Sequence, residues 1–95
     1  MLIRSQDKEM IVNIYTTNRI FIGEVYRPNG NLHDVCADEM RLGYYSTREK
    51  AMKVLDMIQD AYCKFMSVKN DDAWVGKESV FYMPEDSEVE GRVME

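Results

Sequence analysis

Residues 41–66 read RLGYYSTREKAMKVLDMIQDAYCKFM, and their pattern decides the fold. The stretch begins as a strand, Arg41 to Tyr45, turns at Ser46-Thr47, and continues as one long amphipathic helix. Ser46 and Glu49 stand in the S-x-x-E spacing of a capping box, in which the serine oxygen accepts a free first-turn amide and the glutamate reaches back. Ala51, Val54, Leu55, Ile58, Ala61, Tyr62 and Phe65 recur at three- and four-residue steps and fall on one stripe. Arg48, Lys50, Lys53, Asp56, Asp60 and Lys64 lie off it, and no Gly or Pro interrupts the run. A helix with a single apolar stripe must bury it, and the flanking strand-like segments are the surface available. Met52, Met57 and Met66 border the stripe as the adaptable edge of that core or as a subunit contact.

Working outward, Met10 to Tyr15 (MIVNIY) and Arg19 to Tyr26 (RIFIGEVY) are β-rich and read as a hairpin about Thr16–Asn18. Pro28-Asn29-Gly30-Asn31 is a turn, with proline setting φ and Asn-Gly supplying positive φ. Leu32 to Met40 holds either a short strand around His33–Cys36 or an irregular excursion. Beyond the helix, residues 67–77 (SVKNDDAWVGK) read as a polar loop, and residues 78–83 (ESVFYM) as a last strand stopped by Pro84. The order β-β-β-α-β predicts an α+β fold, an antiparallel sheet of four to five strands with one long helix across one face. Residues 1–84 form its single domain.

Residues 85–95 hold five acidic residues against Arg92, a net charge of −4, whereas residues 1–84 hold 12 acidic and 11 basic, a net of −1. The acidity therefore belongs to the end of the chain, which reads as a mobile acidic tail. No apolar run approaches the roughly 20 residues that span a bilayer. The start, MLIRSQDKEM, shows no signal-peptide core, so a cytoplasmic protein without membrane partners is expected. Cys36 and Cys63 lie in no C-x-x-C pair, and His33-x-x-Cys36 lacks a second pair of ligands, so neither a disulfide nor a metal centre is expected. There is no P-loop, no G-x-G-x-x-G and no nucleophile elbow, and His33 with the adjacent Asp34 is badly placed for a triad. No catalytic residue and no cofactor are assigned; a non-enzyme is expected.

Function then falls to the surfaces the helix leaves free. If Val12, Ile14, Ile20, Ile22, Leu42 and Tyr44 face the helix, alternation sends Asn13, Tyr15, Arg19, Phe21, Arg41 and Tyr45 outward. Aromatics interleaved with arginines on an open sheet form a binding surface or a dimer interface. Arg4, Ser5 and Gln6 are placed to cap a ligand pocket beside the last strand. Trp74 is the loop's own anchor or an interface hot spot, the anchor being preferred. The expected binding surface is thus Arg4, Ser5, Gln6, Arg19, Phe21, Arg41, Tyr45 and Trp74.

Two resemblances bear on this. Leu42-Gly43, Tyr45, Thr47, Glu49 and Ala51, about a tenth of the chain, resemble the last strand and helix start of the plant-type ethylene-response DNA-binding domains. That likeness implies a sheet whose arginines and tryptophan read the major groove. Arg4, Arg19, Arg27 and Arg41 would offer a similar row, without the strand tryptophan. Nearly the whole chain is similar to a group of short uncharacterised proteins of Firmicutes and their phages and prophages. The shared features are Ile3-Arg4-Ser5-Gln6-Asp7, the pattern L-G-x-Y-S-x-x-E-x-A-x-x-V-L-x-x-I over Leu42 to Ile58, and the Met83-Pro84 end. This likeness implies a phage or mobile-element protein. The expectation is a homo-oligomeric protein that binds or sequesters a host protein or small ligand, with nucleic-acid binding by the outer sheet face as the alternative.

Overall fold

The computed structural model describes residues 1–68 and 79–89. In chain order the elements are β1 (Leu2–Arg4), β2 (Ile11–Asn13), a 3-10 turn (Ile14–Thr16), β3 (Ile20–Val25), β4 (Leu32–Ala37), β5 (Met40–Tyr45), α1 (Arg48–Val68), β6 (Val80–Tyr82) and a second 3-10 turn (Asp86–Glu88). The class is α+β, with one long helix packed on the strands. These strands form two three-stranded sheets rather than one: β2-β1-β6 and β3-β4-β5. The second is antiparallel throughout, whereas β6 lies parallel to β1.

The hairpin expected between residues 10–15 and 19–26 does not form, because Asn13 ends the first strand. Its side-chain oxygen accepts from the Tyr15 amide at 2.9 Å, and its carbonyl accepts the hydroxyls of Thr16 and Thr17 at 3.0 Å each. These local bonds curl Ile14–Thr16 into a 3-10 turn and redirect the chain. β2 therefore pairs with β1, and β3 pairs with β4 across the Pro28–Asn31 turn, where Gly30 takes φ +125°. The segment left open in the sequence, residues 32–37, is a full central strand.

The helix stripe is buried as the pattern predicts. Ala51, Val54, Ile58 and Phe65 are buried together with Val35, Ala37, Leu42 and Tyr45, and α1 packs on β3, β4 and β5. Each fully buried Val or Ile contributes about 1.5–3 kcal/mol, which accounts for the stripe as core. Ile3, at the centre of the first sheet, is fully buried with Met1, Val12 and Met83. The cap is Thr47 and not Ser46: the Thr47 hydroxyl accepts from the Lys50 amide at 3.1 Å, and α1 begins one residue later than the box would start it. No described helix is long and apolar enough to cross a membrane.

Ser46 is occupied elsewhere. Its amide and hydroxyl both donate to the Asp86 carboxylate, at 2.8 and 3.1 Å, and Lys50 reaches the same residue at 3.4 Å. Residues 85–89 are thus folded onto the start of α1, with Val89 buried, while residues 90–95 lie outside the described ones. The expected boundary after Pro84 misses this because acidity alone reads as solvated tail. Here an acid has the positive end of a helix to meet.

Burial alone would raise the Asp86 carboxyl, but the Ser46 amide and hydroxyl and the Lys50 ammonium outweigh it and hold the group below its ordinary 3.8. A lowered folded-state pKa stabilises above the unfolded value and is lost as pH falls through the folded one. Asn at position 86 keeps an oxygen for Ser46 but no charge. The stability gap between wild type and Asp86→Asn, present at pH 7, is therefore expected to close as pH falls below 3.8. Urea unfolding at pH 7, 5, 4 and 3 measures it; a gap that persists unchanged at pH 3 would show that the charge contributes nothing.

Candidate functional site

β4 and β5 do not run in simple register. Val35 pairs with Gly43 but Cys36 with Arg41, leaving Leu42 as the extra residue of a β-bulge. A bulge advances the alternation by one. Arg41 faces outward as expected, but after Leu42 it is Tyr44 that stands outside, while Tyr45 turns inward and is fully buried. Placing Tyr45 on the binding surface is therefore corrected. Its hydroxyl donates to the Pro84 carbonyl at 2.8 Å, and burial, followed by the charges of Glu85, Asp86 and Glu88, pushes the phenol up.

On the outer face the register brings together Phe21, Cys36 and Arg41 in one row and Gly23, Asp34 and Tyr44 in the next. The Arg41 guanidinium lies 4.8 Å from the centre of the Tyr44 ring, and Arg27 lies 5.7 Å from the same ring. Arg19 lies 4.8 Å from the Phe21 ring. Such stacks are worth about 0.5–1 kcal/mol at exposed sites, and they fix side chains that would otherwise sweep through solvent. The sequence-predicted Arg19, Phe21 and Arg41 do share this face.

Beneath them is a carboxylate that sequence reasoning passed over. Asp34 is 4 % exposed and accepts from Arg41 Nε at 2.7 Å, while its Oδ1 meets no donor among the described residues. Gly23 makes room for it: a Cβ there would sit 2.5 Å from Asp34 Oδ1. The bond from Asp34 holds the Arg41 guanidinium firmly charged. A buried charge stays only when paired, so an acid in the middle of the LHDVCA strand was itself the available signal, with Arg41 across the hairpin as its partner. Cys36, three residues from His33, points to the opposite side of the sheet from it, so the two cannot ligate one ion. Burial, then the Asp34 charge, pushes the Cys36 thiol up to about 11.

The Arg4–Gln6 start divides into three fates. Arg4 lies on the first sheet in a row with exposed Ile11 and Tyr82, and its Nε donates to the Lys8 carbonyl at 2.9 Å. Ser5 is buried; its hydroxyl donates to Asp7 at 2.6 Å and accepts from the Met10 amide at 3.1 Å. Gln6 alone reaches the second sheet. Its amide donates to the Leu42 carbonyl at 2.8 Å, and its side-chain oxygen accepts from the Tyr44 amide at 3.0 Å. Its Nε2 donates to the carbonyls of Tyr44 at 3.0 Å and Pro84 at 3.1 Å. Beside this contact lies an open depression of about 250 Å³, lined by Gln6, Asp7, Arg41, Leu42, Gly43 and Tyr44. Trp74 lies outside the described residues.

Gln6→Ala removes three side-chain bonds at once. At 0.5–1.5 kcal/mol each, the expected loss is about 2–3 kcal/mol in urea unfolding at unchanged m-value, within what a small domain tolerates. Gln6→Glu, which aims an acceptor at two carbonyls, is expected to lose more; a Glu variant as stable as wild type would refute this account of the contact. For the thiols, a pKa of about 11 leaves roughly one Cys36 in a thousand ionised at pH 8. Iodoacetamide should therefore label the exposed Cys63 long before Cys36, and urea should abolish the difference; peptide mass spectrometry reads both sites. Equal labelling of the native protein would contradict the half-buried, acid-flanked thiol. No protein-family model, curated protein or solved structure matches the chain.

Proposed function

We propose that this is a small non-catalytic binding protein of phage or mobile-element type that works in the cytoplasm by occupying a host protein or small ligand. The observation that carries the reading is the outer face of β3-β4-β5, where three arginines are stacked on two aromatic rings and one is anchored by a buried carboxylate. Rigid arginines beside aromatics lose little entropy on binding and are the residue types that dominate interface energies. The thiol on this face is held protonated, which speaks against a thiolate nucleophile. The likeness to phage proteins through Ile3–Asp7, Leu42–Ile58 and Met83-Pro84 supports the setting. Ile11 at 55 % and Tyr82 at 61 % exposure, flanking Arg4 on the first sheet, support self-association into a homo-oligomer.

A second reading, a nucleic-acid-binding regulator, is favoured by Arg19, Arg27 and Arg41 lying on the open side of a three-stranded sheet backed by a helix. The nearly neutral body weakens it, since the phosphate backbone rewards net positive charge.

One experiment separates these. Wild type and an Arg19→Ala/Arg41→Lys/Tyr44→Ala variant, both verified as folded by circular dichroism, are used to capture partners from host lysate with and without nuclease. A discrete protein or extracted small molecule retained by wild type and lost by the variant supports the binding reading. Retention that nuclease abolishes, with salt-dependent retardation of DNA, supports the second. Identical capture by both proteins removes the outer face from consideration.

A further inference from the structure

We propose that the depression between Gln6–Asp7 and β5 is a site for a small zwitterion, an amino acid carrying both an ammonium and a carboxylate. The proposal rests on the reading of the outer face as a binding surface, with which it shares Arg41 and Tyr44, and it names the class of small ligand.

Two opposite charges, Arg41 and Asp7, line one hollow of about 250 Å³ without pairing with each other, and Arg41 carries the buried Asp34 carboxylate behind it. On one bank stands Arg41. Its Nε is committed to Asp34 at 2.7 Å, its Cζ lies 4.8 Å from the centre of the Tyr44 ring, and its side chain is still 47 % exposed. Among the described residues its two terminal nitrogens have no carboxylate. This is the half of a guanidinium that matches a carboxylate in bidentate fashion. On the other bank stands Asp7. Its Oδ1 accepts from the Ser5 hydroxyl at 2.6 Å and from the Glu9 amide at 2.9 Å, and these bonds hold the group ionised. No ion pair joins Asp7 to Arg41 among the described residues, so each charge is fixed by its own neighbours and left facing solvent on one side.

This arrangement discriminates by sign. A simple anion meets the free edge of Arg41 but is opposed by Asp7 and by Asp34 behind the guanidinium, and a simple cation meets Asp7 but is opposed by Arg41. Only a ligand bearing both charges gains at both banks, with Tyr44 as an apolar wall and the size of the hollow suited to an amino acid. Both anchors are preorganised, Arg41 by a buried carboxylate and Asp7 by a backbone amide and a buried serine, so little ordering is left to oppose binding. Because both banks are open to water, the affinity is modest, with Kd on the order of 1 mM.

The test is a titration of the ¹⁵N-labelled full-length protein with glycine, β-alanine and 4-aminobutyrate, with acetate and methylammonium as single-charge controls. At least one zwitterion should saturate the amide shifts of Gln6, Asp7, Gly43 and Tyr44 with Kd at least tenfold below either control. The series also reports the span between the charges. Asp7→Asn, which keeps an oxygen for Ser5 and Glu9, and Arg41→Lys, which keeps a cation for Asp34, should each weaken that Kd at least fivefold. Acetate or methylammonium binding as tightly as every zwitterion, or no saturable shift, would overturn the site on wild type alone. That failure would leave untouched a macromolecular partner captured through the outer face. Zwitterion binding without a captured macromolecule would support the site and confine the binding reading to small ligands.

Discussion

The side chain of Gln6 stands in for a missing strand. β5 has β4 on one side and, on the other, an edge whose polar groups would face a neighbouring sheet with nothing to pair. Gln6 offers that edge its own amide, then its carboxamide oxygen to the Tyr44 N–H and its carboxamide nitrogen to the Tyr44 carbonyl. A primary amide has the same donor and acceptor as a peptide unit, so it completes a rung of the ladder and blunts the edge. The second proton on that nitrogen meets Pro84, whose carbonyl also takes the buried Tyr45 hydroxyl. Three segments distant in sequence thus converge on one group: the β1 end, β5 and the β6 exit. The approach is close at Gly43, where a Cβ would lie 3.1 Å from that of Gln6 and oblige its neighbours to give by a few tenths of an ångström.

The outer face depends on a different compromise. Burying the Asp34 carboxylate is expensive unless its charge is met, and Arg41 meets only one oxygen. The fold accepts the other, unpaired, over Gly23. What is obtained is an arginine whose position is set from below, stacked on Tyr44, instead of one that samples solvent. Removing Asp34 would leave the same charge on the surface but a looser one. A site that binds weakly exposed ligands gains more from that stiffness than from an added charge, because the ordering of long side chains is the term that opposes such contacts.

The features legible in the sequence were those set by local periodicity. The stripe from Ala51 to Phe65 placed the helix and its buried side, and the alternation in β3 placed Phe21 and Arg19 outside and Ile20 and Ile22 inside. The failures share a physical origin in single residues that reset a count. Leu42 bulges, so Tyr44 and Tyr45 exchange faces. Asn13 bonds its own backbone, so a predicted hairpin becomes a corner and the strands re-pair. Thr47 caps the helix because Ser46 is claimed by Asp86, forty residues away, which no window of sequence contains. Gln6 was named for a pocket, but its strand-like role depends on β5 and Pro84 lying where only the folded chain puts them.

The acidic end of the described chain belongs to the same contact as Gln6. Asp86 at the start of α1 and Pro84 at the Gln6 contact are two residues apart, so the first residues of the acidic end hold the helix, β5 and β1 in one frame. Acidity that looked like tail is there a clamp, and what it clamps is the bank of the groove. Arg41 is positioned from β4 and Asp7 from the turn after β1, and Gln6, beside Asp7, bonds Tyr44 and Pro84. A ligand that bridged the two charges would therefore register the relative placement of the two sheets. It would stabilise their contact by mass action, since it binds the assembled groove and not the separated strands.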